Sequence, residues 1–473
     1  MNYISVFDML KICVGPSSSH TLGPWKAALH FVKTLQKEQS LNKVNKVIVE
    51  LYGSLALTGK GHGTDIAILM GLNHQVPETC DTQLMYSLPE KVAEDKALLL
   101  GNIHSIDFDV TQHIQFHTDQ RLPFHTNGMI FKAFDVDNHI LHQETYYSIG
   151  GGFISVGETA DEETVKSMPK HYCYTSKELI KTCQQHQLSI AALVMQNEES
   201  WRSPEEIDRQ LSKLIIAMQE SVYKGCHQEG ELPGGLNVKR RAAAINKKML
   251  GELEYNGYGE WLQHISKKTC DFSAINKWIS AFAMAVNEEN AAFGRIVTAP
   301  TNGSAGVIPA VMHYLMCFAK PDYTQQDLIN FLLVASEIGN YFKTHATISA
   351  AAGGCQAEIG VSSAMAAAAL TESMGGTVEQ SLVAAEIAME HHLGLTCDPI
   401  KGLVQVPCIE RNSMGAIKAI LASNLALETD PSQTKVSLDE VINTMWSTAK
   451  DMHEKYKETS IGGLAVNVGL PEC

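Results

Sequence analysis

Long hydrophobic runs are missing from this sequence of 473 residues, and so are runs of positive charge. The best apolar candidate, VSSAMAAAALTESMGG at 361–376, is short and carries polar residues, so we expect a buried helix there and no membrane partner. The first residues lack the basic and apolar segments of a secretory signal, which favours a cytoplasmic protein. With a net charge of -15 and only VKRRAAAINKK (238–248) approaching a basic run, the composition argues against a nucleic-acid partner.

Several catalytic and metal-binding motifs are also absent. The sequence has no H-E-x-x-H and no compact C-x-x-C, which disfavours a zincin, a zinc ribbon and a ferredoxin-type cluster loop. The stretch GSLALTGKGHG at 53–63 resembles a phosphate-binding loop, but five residues precede Gly59-Lys60 where the motif needs four. Gly61 also stands where a serine or threonine would have to meet magnesium. A nucleotide-binding function is therefore disfavoured.

Cysteine is present in quantity, at eleven positions, and in a reducing compartment these residues are expected to be thiols or metal ligands instead of disulfides. Cys183, Cys226 and Cys317 have helix-like surroundings, and we predict that they are core thiols.

Four other cysteines lie in loop-like segments, where a purely structural cysteine is less expected. Cys355 follows two glycines that would permit the close approach of a bulky inorganic group, Cys397 and Cys408 flank a Pro/Gly turn, and Cys473 is the last residue. Three loop thiolates could hold a [4Fe–4S] cluster with one iron left open as a Lewis acid. The alternative, a scattered set of unrelated thiols, stays open at this point.

The pattern along the chain predicts an α+β protein in which a mixed α/β domain precedes a larger all-α domain. Strands are indicated at 46–54 and, around the turn DVDN, at 129–148, while GTDIAILMGL at 63–72 indicates a short helix. Later, Ser203 is the predicted N-cap of a helix, with Glu206 completing a capping box. Further helical periods cover 242–254, 276–290, 307–319, 326–343, 361–373, 379–392, 414–427 and 438–455. The predicted domains are 1–160 and 201–473, joined by a linker at 161–200.

Three loops outside the cysteines carry groups suited to catalysis or anion binding. VGPSSSHTLGP at 14–24 offers three hydroxyls and His20 before a helix, which suits a carboxylate or phosphate unless it is only an N-cap. His62 lies between glycines that would expose its ring, although a lone exposed histidine usually has no role. TAPTNGSAG at 298–306 has the residues of an anion nest, with a plain turn as the alternative.

Seven motifs, taken in order, resemble the iron–sulfur-dependent bacterial L-serine dehydratases: GPSSSHT, GSLALTGKGHGTD, YYSIGGGFI, LPGGLNVKRRA, TAPTNGSAGVIPA, AAGGCQAEIGV and GLTCDPIKGLVQVPCIERN. The match runs nearly from end to end of the chain. The resemblance implies conversion of L-serine to pyruvate and ammonia by the open iron of a [4Fe–4S] cluster, without pyridoxal phosphate. It also implies a homodimer.

The resemblance assigns roles to individual positions. Cys355, Cys397 and Cys408 would hold the cluster, and Cys473 would reach the fourth iron in the resting state until substrate displaces it. Ser17, Ser18 and Ser19 would bind the substrate carboxylate with His20 close by, and His62 would be the base. Thr64, Asp65, Asn302, Ser304 and Arg411 fall in matching segments as further substrate-binding candidates. Lys401 is a local departure that adds a charge beside the cluster loop.

Other functions remain open from the sequence alone. A related cluster hydro-lyase could act on threonine or another small hydroxy acid, because sequence does not give the size of a pocket. An iron or redox sensor would use the cluster differently, although no basic element for reading DNA accompanies it. A pyridoxal phosphate lyase would need a Schiff-base lysine, and neither Lys60 nor Lys401 has the expected setting.

Overall fold

The protein has an α+β fold, as predicted. The computed structural model describes residues 3–160, 167–459 and 462–468. A sheet-containing region occupies the first part of the chain, and a larger helical region follows. Within the described residues, no helix is both long and apolar enough to cross a lipid bilayer.

The described strands form one mixed sheet and two separate two-stranded sheets. The strands are β1 (Lys11–Val14), β2 (Lys46–Tyr52), β3 (Ala97–Leu100), β4 (His104–Asp107), β5 (Ile114–His117), β6 (Gly128–Phe134), β7 (Ile140–Ser148), β8 (Ile154–Val156), β9 (Thr159–Ala160) and β10 (Arg295–Thr298). The two-stranded sheets are β1-β10 and the hairpin β3-β4. The mixed sheet has the order β5-β2-β6-β7-β8-β9, with β5 parallel to β2 and the other neighbours antiparallel. The predicted strand at 46–54 and the predicted hairpin are therefore confirmed.

The helices follow the predicted apolar periods closely. They are α1 (Val6–Met9), α2 (Gly23–Lys37), α3 (Ser54–Thr58), α4 (Thr64–Leu72), α5 (Leu84–Asp95), α6 (Val110–His113), α7 (Ser176–His186), α8 (Ile190–Glu198), α9 (Pro204–Gly225), α10 (Ala242–Leu250), α11 (Gly257–Lys267), α12 (Phe272–Ala291), α13 (Val307–Tyr314), α14 (Gln325–His345), α15 (Ala350–Gly353), α16 (Ile359–Ser373), α17 (Val378–Glu390), α18 (Cys408–Leu427), α19 (Leu438–Asp451) and α20 (Leu464–Asn467). Ser203 caps α9 by accepting from the backbone N–H of Glu206. The predicted capping box is only half formed, because the Glu206 carboxylate accepts from Gln210 instead of returning to the cap.

The two regions share parts of the chain. The sheet packs on α2 and α4 around a core of its own, but Val6, Met9 and Cys13 belong to the core of the helical region. In addition, β1 pairs antiparallel with β10, so that Cys13 lies opposite Ile296 across the two regions. The predicted core thiols are likewise buried. This arrangement places the loop after β1 between the sheet and the helices.

The segment predicted as a linker contains ordered helices where the structure describes it. Both α7 and α8 lie within 167–200, and Leu193 and Val194 of α8 are buried in the helical core. The boundaries between the predicted domains stay a prediction.

Candidate active site

The three loop cysteines lie in the helical region, and Cys355 is near enough to the other two to contribute to raising the pKa of each. Cys355 lies in a 3-10 turn after α15, Cys397 lies in the loop after α17, and Cys408 is the first residue of α18. All three are buried. The Sγ atoms of Cys355 and Cys397 and a carboxylate oxygen of Glu358 lie within 4.8 Å of one another. Sequence reasoning missed Glu358, which has no motif of its own beyond its place three residues after Cys355.

A half-buried guanidinium group, that of Arg411, lies beside the thiols. Nη1 of Arg411 donates to Sγ of Cys355 at 3.3 Å and to the carbonyl of Thr396 at 2.6 Å, while Nη2 reaches Asp398 Oδ1 at 3.3 Å. A hydrogen bond from Cys397, together with the Arg411 charge, lowers the pKa of the Cys355 thiol to about 7. Arg411 was predicted to bind substrate, and the structure places it against the thiols.

The two glycines before Cys355 leave room for neighbouring atoms of the protein. Gly354 has φ +71°, and a Cβ there would lie 2.8 Å from the carbonyl oxygen of Leu395. A Cβ on Gly353 would lie 2.9 Å from that of Ala357. We expected these glycines to make space for an inorganic group, but they make space for neighbouring backbone and side chains.

The donor set fits an iron–sulfur cluster. Three buried thiols are the soft ligands that such clusters require, and the Arg411 guanidinium donates to one of them, Cys355. The pKa of Cys397 is raised by its hydrogen bond to Cys355 and by burial, and that of Cys408 is raised chiefly by burial. Cys473, the predicted fourth ligand, lies outside the described residues.

The predicted serine loop follows β1 and begins a helix. Ser17 caps a short π-helical turn at Ser18–Leu22 that continues into α2, and its Oγ accepts from the backbone N–H of His20 at 3.1 Å. The N-cap alternative is thus confirmed for Ser17. Ser18 makes no hydroxyl hydrogen bond to any residue that the structure describes. The Ser19 hydroxyl contacts His20 Nδ1 at 2.9 Å.

His62 is buried beside His20, with only 1% of its surface exposed, so the expectation of an exposed ring was wrong. The two imidazole rings lie 4.6 Å apart between centroids. Gly61 instead allows the approach of the Lys401 backbone, since a Cβ there would lie 3.0 Å from the Lys401 carbonyl oxygen. This contact brings the His62 loop against the loop that joins Cys397 to Cys408.

The hydrogen bond of the His62 ring determines which nitrogen carries the proton in the neutral form. Nδ1 lies 2.9 Å from the carbonyl oxygen of Thr58, and a carbonyl only accepts, so Nδ1 carries the proton and Nε2 carries the lone pair. Nε2 has no hydrogen bond to a residue within the described ranges. Burial, reinforced by His20, lowers the pKa of His62 to about 4. At neutral pH the residue is therefore an unprotonated base with a free lone pair.

The remaining predicted site residues have structural partners. Thr64 donates to the His20 carbonyl at 2.5 Å, and Asp65 accepts from the backbone N–H of Ile66. Asn302 accepts from the Thr298 hydroxyl at 2.6 Å, and Ser304 donates to the Ala299 carbonyl at 3.3 Å.

The chain after α19 contacts both halves of the site: the cysteines, and the serine loop with its histidines. The backbone N–H of Cys397 donates to Tyr456 at 2.7 Å, and Thr459 donates back to the Cys397 carbonyl at 3.2 Å. Between them, Glu458 accepts from the Ser19 hydroxyl at 3.0 Å and approaches His20 Nδ1 at 3.2 Å. Glu458 was missed in the sequence because its contacts come from residues more than 400 positions away, and no local motif marks it.

A cavity of about 380 Å³ opens beside these loops. Its wall includes Pro16, which precedes the serine loop, Gly61 beside His62, and Lys401 and Gln405 from the cysteine loop. The volume is that of a small-molecule pocket, but the three thiols, the serine-loop hydroxyls and the two histidines are not in its wall, so it lies next to the site.

Comparison with known proteins finds serine dehydratase relatives along nearly the whole chain. The family model for the serine dehydratase beta chain matches residues 5–159, and the model for the serine dehydratase alpha chain matches residues 185–465. The chain is 46% identical to L-serine dehydratase 2 of Escherichia coli over 98% of its own length and 99% of that protein. It is 45% identical to an L-serine dehydratase of Streptomyces coelicolor and 44% identical to one of Helicobacter pylori, with the same coverage. The buried thiols, the paired histidines and the serine loop thus lie in a chain that belongs to the L-serine dehydratase family of lyases.

Proposed function

We propose that this enzyme converts L-serine to pyruvate and ammonia with a [4Fe–4S] cluster held by Cys355, Cys397 and Cys408. The observation that supports the proposal is the segment 456–459, which bonds the backbone of Cys397 and places Glu458 on Ser19 and His20, beside His62. The relatives named L-serine dehydratase support the choice of substrate. The assignments of Cys473 as a replaceable fourth ligand and of a homodimer stay predictions.

In this proposal the three cysteines and Arg411 have different roles. The three cysteines would bind iron, and Arg411 would hold Cys355 in place and offset its charge through the hydrogen bond at 3.3 Å. Such a cluster, when bound, supplies a Lewis-acidic iron that stabilises negative charge on a leaving oxygen.

The rest of the chemistry belongs to the loops on the other side of the site. Ser18, whose hydroxyl is free among the described residues, and its neighbours Ser17 and Ser19 would bind the substrate carboxylate. His62 Nε2 would accept the α-proton as the β-hydroxyl group leaves. The product of this elimination is aminoacrylate, which tautomerises and hydrolyses to pyruvate and ammonia without further catalysis. His20 would orient the serine loop through its backbone N–H and ring nitrogens.

The test is an anaerobic purification followed by an absorption spectrum and a pyruvate assay with L-serine. We expect broad absorption near ~400 nm, the usual region for iron–sulfide charge transfer. Exposure to air should bleach this absorption and remove pyruvate formation in parallel. A colourless protein that still deaminates L-serine would contradict the cluster, and a coloured protein inert towards L-serine would contradict the substrate.

Two variants separate the cluster ligands from ordinary thiols. Cys397→Ser should lose the absorption and the turnover together, because it removes one of three iron ligands. Cys317→Ser is the matched control, since Cys317 is a core thiol buried to a similar degree and far from the site in the chain. The proposal fails if both variants assemble the same cluster. Assays with L-threonine in parallel determine how strictly the site selects serine.

A further inference from the structure

Glu458 contacts the serine loop from a segment that is bonded to the thiol side. The backbone N–H of Cys397 donates to the Tyr456 carbonyl, and the Cys397 carbonyl accepts from Thr459. The Glu458 side chain contacts Ser19 and His20. Glu458 therefore lies where a substrate bound to the serine loop would have its α-carbon substituents.

The two oxygens of this carboxylate differ. Oε1 accepts from the Ser19 hydroxyl and contacts Nδ1 of His20. Oε2 has no hydrogen-bond partner among the residues that the structure describes. It is buried, in a side chain that is only 6% exposed. A buried carboxylate oxygen without a partner is costly, so such an atom points to a missing donor.

The charge around Glu458 favours a cation as that donor. Burial alone would raise the pKa of Glu458, but His20, His62 and the Ser19 hydroxyl bring it below its ordinary value, so the carboxylate is ionised at neutral pH. Its carboxylate contacts His20 Nδ1 at 3.2 Å, and no lysine or arginine within the described residues contacts it. The protein therefore supplies no permanent cation to this carboxylate among those residues.

Two other acidic groups lie near the thiols. Asp398 uses Oδ1 for Arg411 and Thr396, and Oδ2 accepts from the backbone N–H of Leu464. Glu358 faces the thiols, with an oxygen within 4.8 Å of Sγ of Cys355 and Cys397.

We infer that Glu458 Oε2 binds the α-ammonium group of the substrate, which makes Glu458 the residue that selects an amino acid over a hydroxy acid. This inference rests on the proposed function, because it takes the serine loop as the carboxylate site. The ammonium and carboxylate groups of an amino acid are carried by the same carbon, and Ser19 and Glu458 are in direct contact. Ser19 and Glu458 therefore offer adjacent partners for the carboxylate and the ammonium group.

The experiment compares two ligands that differ only in the ammonium group, L-serine and 3-hydroxypropionate, on the anaerobically prepared holoenzyme. Binding is measured by the ligand-induced shift of Tm and by KM for L-serine against Ki for 3-hydroxypropionate. Glu458→Gln keeps the shape of the side chain and removes its charge. We expect L-serine to bind ~10- to 100-fold more weakly, as for loss of a charge-assisted hydrogen bond, and 3-hydroxypropionate to change less than ~3-fold.

Equal weakening of both ligands would overturn the inference, because it would mean that Glu458 acts only by holding the serine loop and His20. Unchanged binding of L-serine would overturn it as well. Glu454→Gln is the matched control: Glu454 lies four residues earlier, is exposed and pairs with Arg121 on the surface. We expect this control to leave both ligands unaffected.

The wild-type protein provides a second measurement if Glu458→Gln does not fold. There, 3-hydroxypropionate should bind at least ~10-fold more weakly than L-serine, and equal affinities would contradict ammonium recognition. The Tm shift does not need turnover, so it reports on Glu458 even if no pyruvate forms. Failure of the proposed function and failure of this inference are therefore separate results.

Discussion

Two buried histidines in different parts of the molecule have nearly the same local structure and opposite consequences. His62 lies at the active site before α4, and His313 lies in α13 in the helical core. In each, Nδ1 bonds the carbonyl oxygen four residues earlier, at 2.9 Å from Thr58 and 2.7 Å from Pro309. Burial lowers the pKa of both to about 4. Neither burial nor pKa distinguishes the two.

The difference lies at the other ring nitrogen. Nε2 of His313 accepts from the Tyr258 hydroxyl at 3.0 Å, and aromatic rings of Trp261 and Phe282 surround the imidazole. Nε2 of His62 has no such partner in the part of the chain that the structure describes. A satisfied lone pair makes His313 part of the core, whereas an open one makes His62 available to a proton on a ligand.

Removing the imidazole of His62 should produce the largest effect. We expect His62→Gln to lower kcat by ~10²- to 10⁴-fold, the usual contribution of a general base. The absorption near ~400 nm should persist, because His62 is not among the cluster cysteines. The measurement is pyruvate formation per cluster. Turnover at the wild-type rate would remove His62 from the role of base.

The pH dependence of catalysis sharpens the comparison. A base with an ordinary histidine pKa of ~6.5 would lose ~25-fold in kcat/KM between pH 7 and pH 5 through protonation. Because the pKa of His62 is about 4, we expect kcat/KM to stay nearly level over that range, with an acid limb only below pH 5. Cluster absorption, recorded at each pH, is the control. An acid limb centred at pH 6.5 with intact absorption would contradict a neutral buried His62.

We expect His313 to contribute to the free energy of unfolding and not to catalysis. We expect His313→Gln to lower the free energy of unfolding by ~2 kcal/mol at pH 8, through lost packing and hydrogen bonds, with kcat/KM unchanged. The native pKa is lowered, so the unfolded state binds the proton first as pH falls. The stability contributed by a neutral His313 is thus present above pH 6.5 and is lost towards pH 4.

The matching measurement is denaturant unfolding of both proteins at pH 8 and pH 5. The difference between wild type and His313→Gln should shrink by ~2 kcal/mol at the lower pH, since the wild type alone carries this titration. A difference that is independent of pH would contradict the neutral buried state of His313.

The smallest effect concerns the partner hydroxyl. Tyr258→Phe leaves the ring in place and removes the donor to His313 Nε2. We expect a loss of ~1 kcal/mol in the free energy of unfolding, because one buried acceptor is left without its hydrogen bond. Tyr255→Phe is a suitable control, since its hydroxyl bonds the exposed His227. Equal effects of the two variants would mean that burial of the acceptor does not matter.

Prediction from sequence succeeded where the signal is local. The strand at 46–54, the hairpin at 129–148 and the helix at 63–72 follow from alternation, a turn and an apolar period, and all appear in the structure. It missed α11 and the pairing of β1 with β10, because β1 and β10 are short and their register depends on a partner about 280 residues away.

The active site shows the same division. The residue types of the three thiols, the serine loop and His62 follow from motifs in the chain, so the sequence alone determined the chemistry on offer. Only the tertiary structure decided that His62 is buried with Nε2 open, that Arg411 faces Cys355, and that Glu458 joins the two halves. The physical reason is that burial, hydrogen-bond partners and pKa depend on segments far apart in sequence, which meet only when the helical and sheet regions pack together.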